Sequence, residues 1–183
     1  MKKQKIQLII IAVLLVLFIA GYFMIKNSNI KDENDSEETS DIKVTNVASE
    51  DVVEMEYLKD GQTLDFIKDG DSWYYKDDRS IPIIQTDLTT MLDYACNIST
   101  KTVIDAPEDL KTYGLNNPSN TISLTLKDGS IVQIIFGDYL SITGDYYAMV
   151  SGDDNIYAIS SYYATSFDKS LDDLTEKETS TEK

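Results

Sequence analysis

Residues 58–71 read LKDGQTLDFIKDGD, and residues 126–138 read LKDGSIVQIIFGD. Both segments begin with the same four residues, continue with alternating apolar and polar residues, and end in a further Gly-Asp pair, Gly70-Asp71 and Gly137-Asp138. Asp-Gly is the preferred filling of a two-residue hairpin turn, because both central residues of that turn need positive φ. The pattern therefore predicts hairpins of an antiparallel sheet, with each Gly-Asp pair forming the next turn. A duplicated half-domain would give the same pattern.

The acidic turns also allow a second interpretation, a cation site. A calcium loop of the EF-hand kind needs alternating acids, a glycine at its sixth position and a glutamate at its twelfth. Neither LKDG segment has this spacing, and neither does GDDN at 152–155 or DENDS at 32–36. Turn formation explains these acids, and we predict no metal site.

Strand-like alternation continues through most of residues 43–174. Apolar residues recur at every second position in short runs that are bounded by glycine and aspartate, which is typical of strands with one buried face. The runs are 53–57, 64–66, 73–75, 122–126, 132–136, 146–150 and 156–159. They fall before and after a helical region, so we expect two β-meanders, in one continuous sheet or in two packed sheets.

An amphipathic helix is predicted at residues 86–98, TDLTTMLDYACNI, with Thr86 as its N-cap. Its apolar residues recur at helical spacing and predict a buried face; they are Leu88, Met91, Leu92, Ala95 and Cys96. Cys96 lies on this face, and free cysteine usually behaves as a small buried apolar residue. We therefore expect Cys96 to be structural rather than reactive.

A second, short helix is predicted within residues 105–114, DAPEDLKTYG. Asp105 and Glu108 have the spacing of a capping box, Pro107 suits the first turn, and Gly114 suits the left-handed residue after the last turn. The elements together predict an α+β fold: a mostly antiparallel β domain with one amphipathic helix and one short capped helix, following an N-terminal transmembrane helix.

That transmembrane helix is expected at residues 6–25, IQLIIIAVLLVLFIAGYFMI, which contain no charge and are long enough to cross a bilayer. Basic residues 2, 3 and 5 precede the stretch, so the N-terminus at 1–5 is expected in the cytoplasm and the remainder of the chain outside it, at the cell membrane. The alternative is a cleaved signal peptide, but its apolar region is usually shorter. A signal-anchor is the preferred interpretation.

The remaining segments follow from composition. Residues 26–42 are polar and acidic and predict a disordered stalk, residues 43–174 form the extracytoplasmic domain, and residues 175–183 form a disordered tail. The chain has 32 acidic and 16 basic residues, a net charge of −16. Such a surface repels nucleic acid phosphates, so no nucleic-acid partner is expected.

Catalytic chemistry has little support in the sequence. The chain has no histidine and one cysteine, which excludes Ser-His-Asp and Cys-His nucleophile systems, a disulfide within the chain and a histidine-ligated metal. It has no glycine-rich phosphate loop, and no spacing places two acids across a cleft. We predict no catalytic residue and no cofactor, and hence a protein that is not an enzyme.

Tyrosine is abundant, with twelve residues, and three adjacent pairs occur at 74–75, 146–147 and 162–163. Adjacent residues of a strand point to opposite faces, so one tyrosine of each strand pair should be buried and its neighbour exposed. The candidate interaction surface is Tyr74, Tyr147, Tyr162 and Tyr163. The alternative is that tyrosine occurs here because it favours strands and tolerates half-burial.

Several segments together resemble a bacterial family known as domain of unknown function 4340. They are DGQTLDFIKDGDSWYY (60–75), VIDAPEDLKTYGLNNP (103–118), ISLTLKDGS (122–130), FGD (136–138), GDYYAMVSGDDNIYAIS (144–160) and FDKSLDDL (167–174). The most specific part is Tyr113-Gly114-Leu115 with Pro118. The resemblance implies a membrane-anchored envelope protein with an accessory role, in some cases beside an ABC-type transporter. It implies no catalytic or binding residue.

Two functional hypotheses follow. The first is a non-enzymatic interaction module, held to the membrane through residues 6–25, that binds an envelope protein or an ABC-type transporter. The second is a ligand-binding domain for cell-wall glycan or a divalent cation, based on the paired tyrosines and on Asp-rich turns such as 152–154.

Overall fold

The structure is a computed structural model that describes residues 41–104 and 109–177, all of which lie within one compact unit, Ser40–Lys183. The strands in these residues are β1 (Ile42–Lys43), β2 (Val52–Lys59), β3 (Gln62–Asp69), β4 (Ser72–Tyr75), β5 (Ser99–Thr100), β6 (Thr102–Ile104), β7 (Asn120–Leu126), β8 (Ile131–Leu140), β9 (Asp145–Val150) and β10 (Ile156–Ser160). The α-helices are α1 (Gln85–Cys96) and α2 (Ser161–Thr165). Short 3₁₀ turns occur at Ser49–Asp51, Leu110–Tyr113 and Asp172–Leu174.

The two predicted meanders form one continuous sheet. Its strand order is β4-β3-β2-β7-β8-β9-β10-β6, and every neighbouring pair is antiparallel. The first meander (β2–β4) joins the second (β7–β10) where β2 pairs with β7, with Met55 opposite Leu124 and Tyr57 opposite Ile122. Strands β1 and β5 form a separate two-stranded ribbon. The α+β class and the antiparallel arrangement are confirmed.

One face of the sheet, the core face, is covered by α1 and by the chain after α2. The predicted apolar face of α1 is buried as expected, from Leu88 to Cys96. An isolated helix of 12 residues is marginal in water, whereas burying each large apolar side chain contributes about 1.5–3 kcal/mol. Packing on the sheet therefore stabilises α1. The largest fully buried side chains of the sheet are Tyr57, Phe66, Phe136, Met55, Leu64, Ile122, Leu124 and Ile134.

The ends of α1 differ from the sequence prediction. The helix begins at Gln85, its N-cap is Ile84, and Thr86 lies within the first turn, so the Thr86 cap is wrong. The physical reason is that the Gln85 carboxamide pairs with the backbone of Trp73 in β4, accepting from its N–H at 2.7 Å and donating to its carbonyl at 2.9 Å. This side chain ties the start of the helix to the edge of the sheet.

The other end of α1 is held by the buried hydroxyl of Thr45. This hydroxyl donates to the Ala95 carbonyl at 2.7 Å and accepts from the Ile98 N–H at 2.8 Å. The two bonds satisfy backbone groups that a helix end leaves unpaired. Cys96 is fully buried beside this end, as predicted, and burial raises the pKa of its thiol to about 11.

The two LKDG segments form different turns. Asp60 and Gly61 have φ of 52° and 77°, and Lys59 pairs with Gln62, as the two-residue turn requires. At Asp128-Gly129 the glycine alone has positive φ, and the loop has three residues between Leu126 and Ser130, whose backbones are hydrogen-bonded. The prediction of a turn is confirmed at both places, and the turn type is right for the first.

The second Gly-Asp pair does not form a turn, and this prediction is wrong. Gly137 and Asp138 lie within β8, at a bulge where the pairing with β9 shifts between Phe136 and Tyr139. Gly70-Asp71, by contrast, is a two-residue turn between Asp69 and Ser72. The two halves of the sheet therefore differ where a duplication would make them alike.

The bulge of β8 receives the short 3₁₀ turn of the predicted second helix. A Cβ placed on Gly137 would lie 2.1 Å from the Tyr113 carbonyl oxygen, and one placed on Gly114 would lie 2.7 Å from the Asp138 nitrogen. Neither contact is compatible with a side chain, so the two glycines allow the backbones to touch. Ser119 completes the junction by donating its N–H to the Phe136 carbonyl at 2.8 Å. The end of the quoted motif 103–118 and the motif 136–138 are thus one packing unit.

The second helix itself is a 3₁₀ turn, Leu110–Tyr113, with Asp109 as its cap; the Asp109 carboxylate accepts from the Lys111 N–H at 3.1 Å. Gly114 follows with φ of 71°, which confirms its predicted left-handed role. The predicted capping residues Asp105, Pro107 and Glu108 lie outside the described residues.

The chain after α2 closes over the core. Phe167 and Leu174 are buried, and the buried Tyr57 hydroxyl donates to the Lys169 carbonyl at 2.8 Å. Beyond Leu174, Thr175 bridges to Ile83. At the other end Ile42 belongs to β1. Strand pairing thus extends by one residue at each end past the expected domain bounds of 43–174.

The remaining expectations about the ends fall outside the described residues. These are the basic N-terminus 1–5, the anchor 6–25, nearly all of the stalk 26–42 and most of the tail 175–183. Across residues 41–104 and 109–177, no helix combines the length and apolar character needed to cross a bilayer.

Replacing Gly137 by alanine tests the junction. We expect Gly137→Ala to lower the free energy of unfolding by about 3 kcal/mol, because the methyl group would overlap the Tyr113 carbonyl. Urea denaturation followed by circular dichroism measures this. Gln133→Ala, at an exposed position on the same strand, is the control and should change stability by less than about 0.5 kcal/mol. Equal stability of both variants would contradict the close approach.

Candidate functional site

The four tyrosines predicted as an interaction surface do not form one surface. Tyr74 lies on β4 and Tyr147 on β9, with four strands between them, so about 24 Å separates their strands. Tyr162 and Tyr163 lie together on α2, with ring centroids 6.0 Å apart. The structure therefore brings two of the four together.

Tyr74 and Tyr147 both lie on the face opposite the core face. Tyr75 is buried and Tyr74 is half-buried under Arg79, whose guanidinium carbon is 5.7 Å from the ring centroid. Tyr147 is half-buried against the ring of Tyr113 at 5.0 Å. The predicted alternation is correct for 74–75, but Tyr74 and Tyr147 are only partly exposed, whereas the interaction hypothesis expects exposed rings.

One exposed tyrosine surface is centred on α2. Tyr162 is 55% exposed, Tyr163 packs partly against the core, and both rings contact Tyr94 of α1, at 4.8 and 6.4 Å between centroids. The hydroxyls of Tyr94 and Tyr162 are hydrogen-bonded to each other. Tyr94 was not among the predicted residues. The sequence feature that could have identified Tyr94 is its position three residues after Met91, which places it at the border of the apolar face of α1.

An apolar cleft of about 300 Å³, the α1–α2 cleft, opens beside these rings. Its floor includes Met91, and its rim includes the ion pair of Lys169 with Asp87, at 2.5 Å. The complete lining is Asp87, Thr90, Met91, Tyr94, Tyr162, Thr165, Ser166 and Lys169. Aromatic residues around a small apolar cleft with a polar rim are typical of the centre of a protein interface.

A second, more polar groove of about 250 Å³, the strand-end groove, lies on the other side of Thr165. Lys59 pairs there with Asp168 at 2.8 Å and with Asp60 at 3.1 Å, while the Asn120 carboxamide oxygen accepts from the Leu58 N–H. Its lining is Leu58, Lys59, Asp60, Ser119, Asn120, Tyr146, Ala164, Thr165 and Asp168. One aromatic ring and several fixed polar groups make it suited to a small polar ligand.

Two acids of neighbouring strands, Glu54 of β2 and Asp65 of β3, share the Lys76 ammonium. The hydrogen bond to Lys76 lowers the pKa of Glu54, whereas burial raises the pKa of Asp65. Asp65 Oδ1 is buried without a hydrogen-bond partner among the described residues. These carboxylates line neither the α1–α2 cleft nor the strand-end groove.

The acids of the turns act on the backbone, as the turn interpretation predicts. Asp78, Asp128 and Asp153 each accept a hydrogen bond from the backbone N–H two residues later, at 2.9–3.0 Å. Bonds from serine hydroxyls lower the pKa of the first two carboxyls, and the bond from Tyr157 lowers that of the third. Within residues 41–104 and 109–177, no group of three or more histidine, cysteine or acidic residues is arranged to hold a metal ion.

Fold and surface together define an antiparallel α+β domain with an aromatic cleft. The chain belongs to the family described as Domain of unknown function (DUF4340), whose sequence model matches residues 73–181. This confirms the resemblance inferred from the sequence motifs. The matched range begins in β4 and includes the junction of the 3₁₀ turn with β8. Searches of curated proteins and of solved structures gave no match.

The Glu54–Asp65–Lys76 cluster predicts opposite effects for two conservative substitutions. A lowered pKa means that ionised Glu54 stabilises the fold above its unfolded pKa and that this stability is lost as the pH falls through the folded pKa. Glu54→Gln should therefore cost up to about 1 kcal/mol at pH 7 and little at low pH.

A raised pKa has the opposite sign: ionising Asp65 removes stability as the pH rises from the unfolded pKa through the folded pKa. Asp65→Asn should thus leave the free energy of unfolding at pH 7 unchanged or higher. Urea titrations of both variants at pH 3 and pH 7 measure the difference. Equal losses in the free energy of unfolding at pH 7 would show that the Glu54 and Asp65 carboxyls do not have opposite effects on stability.

Proposed function

We propose that this protein is a non-enzymatic interaction module of the cell envelope, anchored through residues 6–25 and presenting its domain outside the cytoplasm. The observation that carries the proposal is the α1–α2 cleft beside the exposed ring of Tyr162. Tyrosine is enriched among the residues that dominate binding energy in interfaces, because it offers a large rigid ring and a polar tip.

The partner that fits is a protein with an apolar side chain surrounded by basic residues. The net charge of −16 favours a basic surface on the partner and accelerates its association. Asp87 and Lys169 on the rim are already paired with each other, so the cleft offers apolar and aromatic contacts at its centre. A membrane complex such as an ABC-type transporter fits the expected anchor and the accessory role implied by the family resemblance.

The lack of an activated nucleophile of the histidine-assisted or thiolate kind supports the non-enzymatic part of the proposal. Histidine is absent from the sequence, and Cys96 is buried with its pKa raised to about 11, so very little thiolate is present at neutral pH.

Site-specific photocrosslinking in intact cells tests the docking surface. A photoreactive phenylalanine analogue replaces Thr90, which lines the cleft, or Thr89, which is also exposed on α1 but does not line the cleft. We expect one discrete adduct from position 90 and none from position 89. Mass spectrometry of the position-90 adduct should identify a subunit of one membrane complex.

Adding Tyr162→Ala to the position-90 chain should reduce the adduct strongly, because truncating an aromatic residue at an interface centre costs about 2 kcal/mol or more. Adducts of equal yield from positions 89 and 90, or recovery of this chain and wall material alone, would refute the docking surface.

The strand-end groove supports a second candidate function, binding of a neutral sugar ring of wall glycan. Tyr146 provides an aromatic wall, and Asn120 and Asp168 provide hydrogen-bonding groups. Lys59 with Asp60 and Asp168 leaves one net negative charge, which favours a neutral ligand over an anionic one.

Calorimetry of the full-length chain in detergent with a wall disaccharide, and separately with calcium, tests this candidate. We expect heat from the disaccharide that is lost in Asp168→Asn and kept in Asp154→Asn, an exposed aspartate outside the groove. No heat at millimolar disaccharide would exclude the glycan function. The separate calcium titration tests the divalent-cation hypothesis, which predicts a heat of binding.

A further inference from the structure

Tyr94 and Tyr162 form an unusual pair. They lie 68 residues apart in the chain, on α1 and α2, with ring centroids 4.8 Å apart and planes inclined at 62°. Their hydroxyls are hydrogen-bonded, Tyr162 is 55% exposed and Tyr94 is half-buried. The hydrogen bond to Tyr94 raises the pKa of Tyr162, so the Tyr162 phenol is protonated at neutral pH.

Other tyrosine pairs in the described residues lack this hydroxyl contact. Tyr113–Tyr147 and Tyr139–Tyr146 have centroids 5.0 and 5.1 Å apart, but no hydrogen bond joins their hydroxyls. The difference matters because of where the unpaired electron of a tyrosyl radical lies. Much of its spin density is on the phenol oxygen and on the two ortho carbons, which are the ring carbons next to the hydroxyl-bearing carbon. Contact between two hydroxyls brings these ortho carbons together.

We propose that Tyr94 and Tyr162 are a modification site, at which a peroxide-dependent one-electron oxidant joins the two rings as dityrosine. Each phenol loses one electron and its hydroxyl proton, and both protons pass to water at the exposed side of the pair. The two radicals form a carbon–carbon bond between ortho carbons. Each ortho hydrogen then moves to its ring oxygen, by way of solvent, and both rings regain aromaticity.

The reaction balances with hydrogen peroxide as the terminal oxidant. Two tyrosines lose two electrons and two protons in total, and one peroxide molecule takes up both to give two water molecules. A haem peroxidase is the class of catalyst that performs the one-electron steps. The oxidant reaches the pair through the exposed ring of Tyr162.

The crosslink would hold α1 to α2 and thereby fix the C-terminal segment that closes over the core. Chain-entropy arguments developed for disulfides apply to any covalent link that closes a long loop, because the link restricts the unfolded state. The single cysteine of this chain, Cys96, is buried and has no partner cysteine in the sequence. The tyrosine pair thus offers a covalent staple that cysteine chemistry within one chain does not.

Treatment of the purified full-length chain in detergent with a haem peroxidase and hydrogen peroxide tests the proposal. We expect dityrosine fluorescence, loss of two hydrogen atoms from the monomer mass, and a crosslinked peptide joining segments that contain Tyr94 and Tyr162. The unfolding midpoint of the treated chain should rise above that of the untreated chain. No partner protein is present, so this result is independent of the docking function.

Three variants make the assignment specific. Tyr162→Phe and Tyr94→Phe keep the rings and remove one hydroxyl each, and they should reduce the intramolecular product to the level of the peroxide-only control. Tyr74→Phe, which removes a tyrosine that has no close tyrosine ring among the described residues, should leave the yield unchanged. Unchanged yield in Tyr162→Phe, a crosslink mapped to another pair, or exclusively intermolecular dimers would each overturn the proposal.

Discussion

The pairing of β2 with β7 is the constraint on which the rest of the structure depends. Each meander alone has three or four strands, and the antiparallel contact of Met55 with Leu124 and of Tyr57 with Ile122 joins them into one surface. That surface is wide enough to hold α1 and the C-terminal segment on the same face. Because α1 and α2 both rest on it, the aromatic cleft between them exists as a consequence of this one pairing.

Local sequence patterns were sufficient for most elements of the fold. The five apolar residues of α1 and the positions of the turns at Asp60-Gly61 and Asp128-Gly129 depend on neighbours within a few residues, and these positions were predicted correctly. The pairing of β2 with β7 and the bulge at Gly137 depend on residues far away in the chain. Gly137 looked like a turn residue, but its lack of a side chain serves the backbone of Tyr113. The Thr86 cap failed for a similar reason, since Gln85 binds β4.

The predictions for the candidate site divide in the same way, between features set by local sequence and features set by distant residues. Composition pointed to tyrosine, and strand alternation correctly predicted that Tyr75 would be buried. Alternation could not show that Tyr162 and Tyr163 lie on a helix, or that Tyr94 joins them, because these contacts arise between elements that are distant in sequence. The separation of Tyr74 and Tyr147 follows from the strand order, which no local pattern encodes.

The first edge of the sheet, β4, has a consequence for self-association. An open edge offers unpaired backbone groups on which a second molecule can add a strand. Here the edge strand is four residues long, Gln85 occupies the backbone of Trp73, and Arg79 lies over Tyr74 while pairing with Asp69. Short length, an occupied backbone and charged cover are features by which natural sheets resist edge-to-edge aggregation. The β4 edge is thus a poor template for adding a strand from a second molecule.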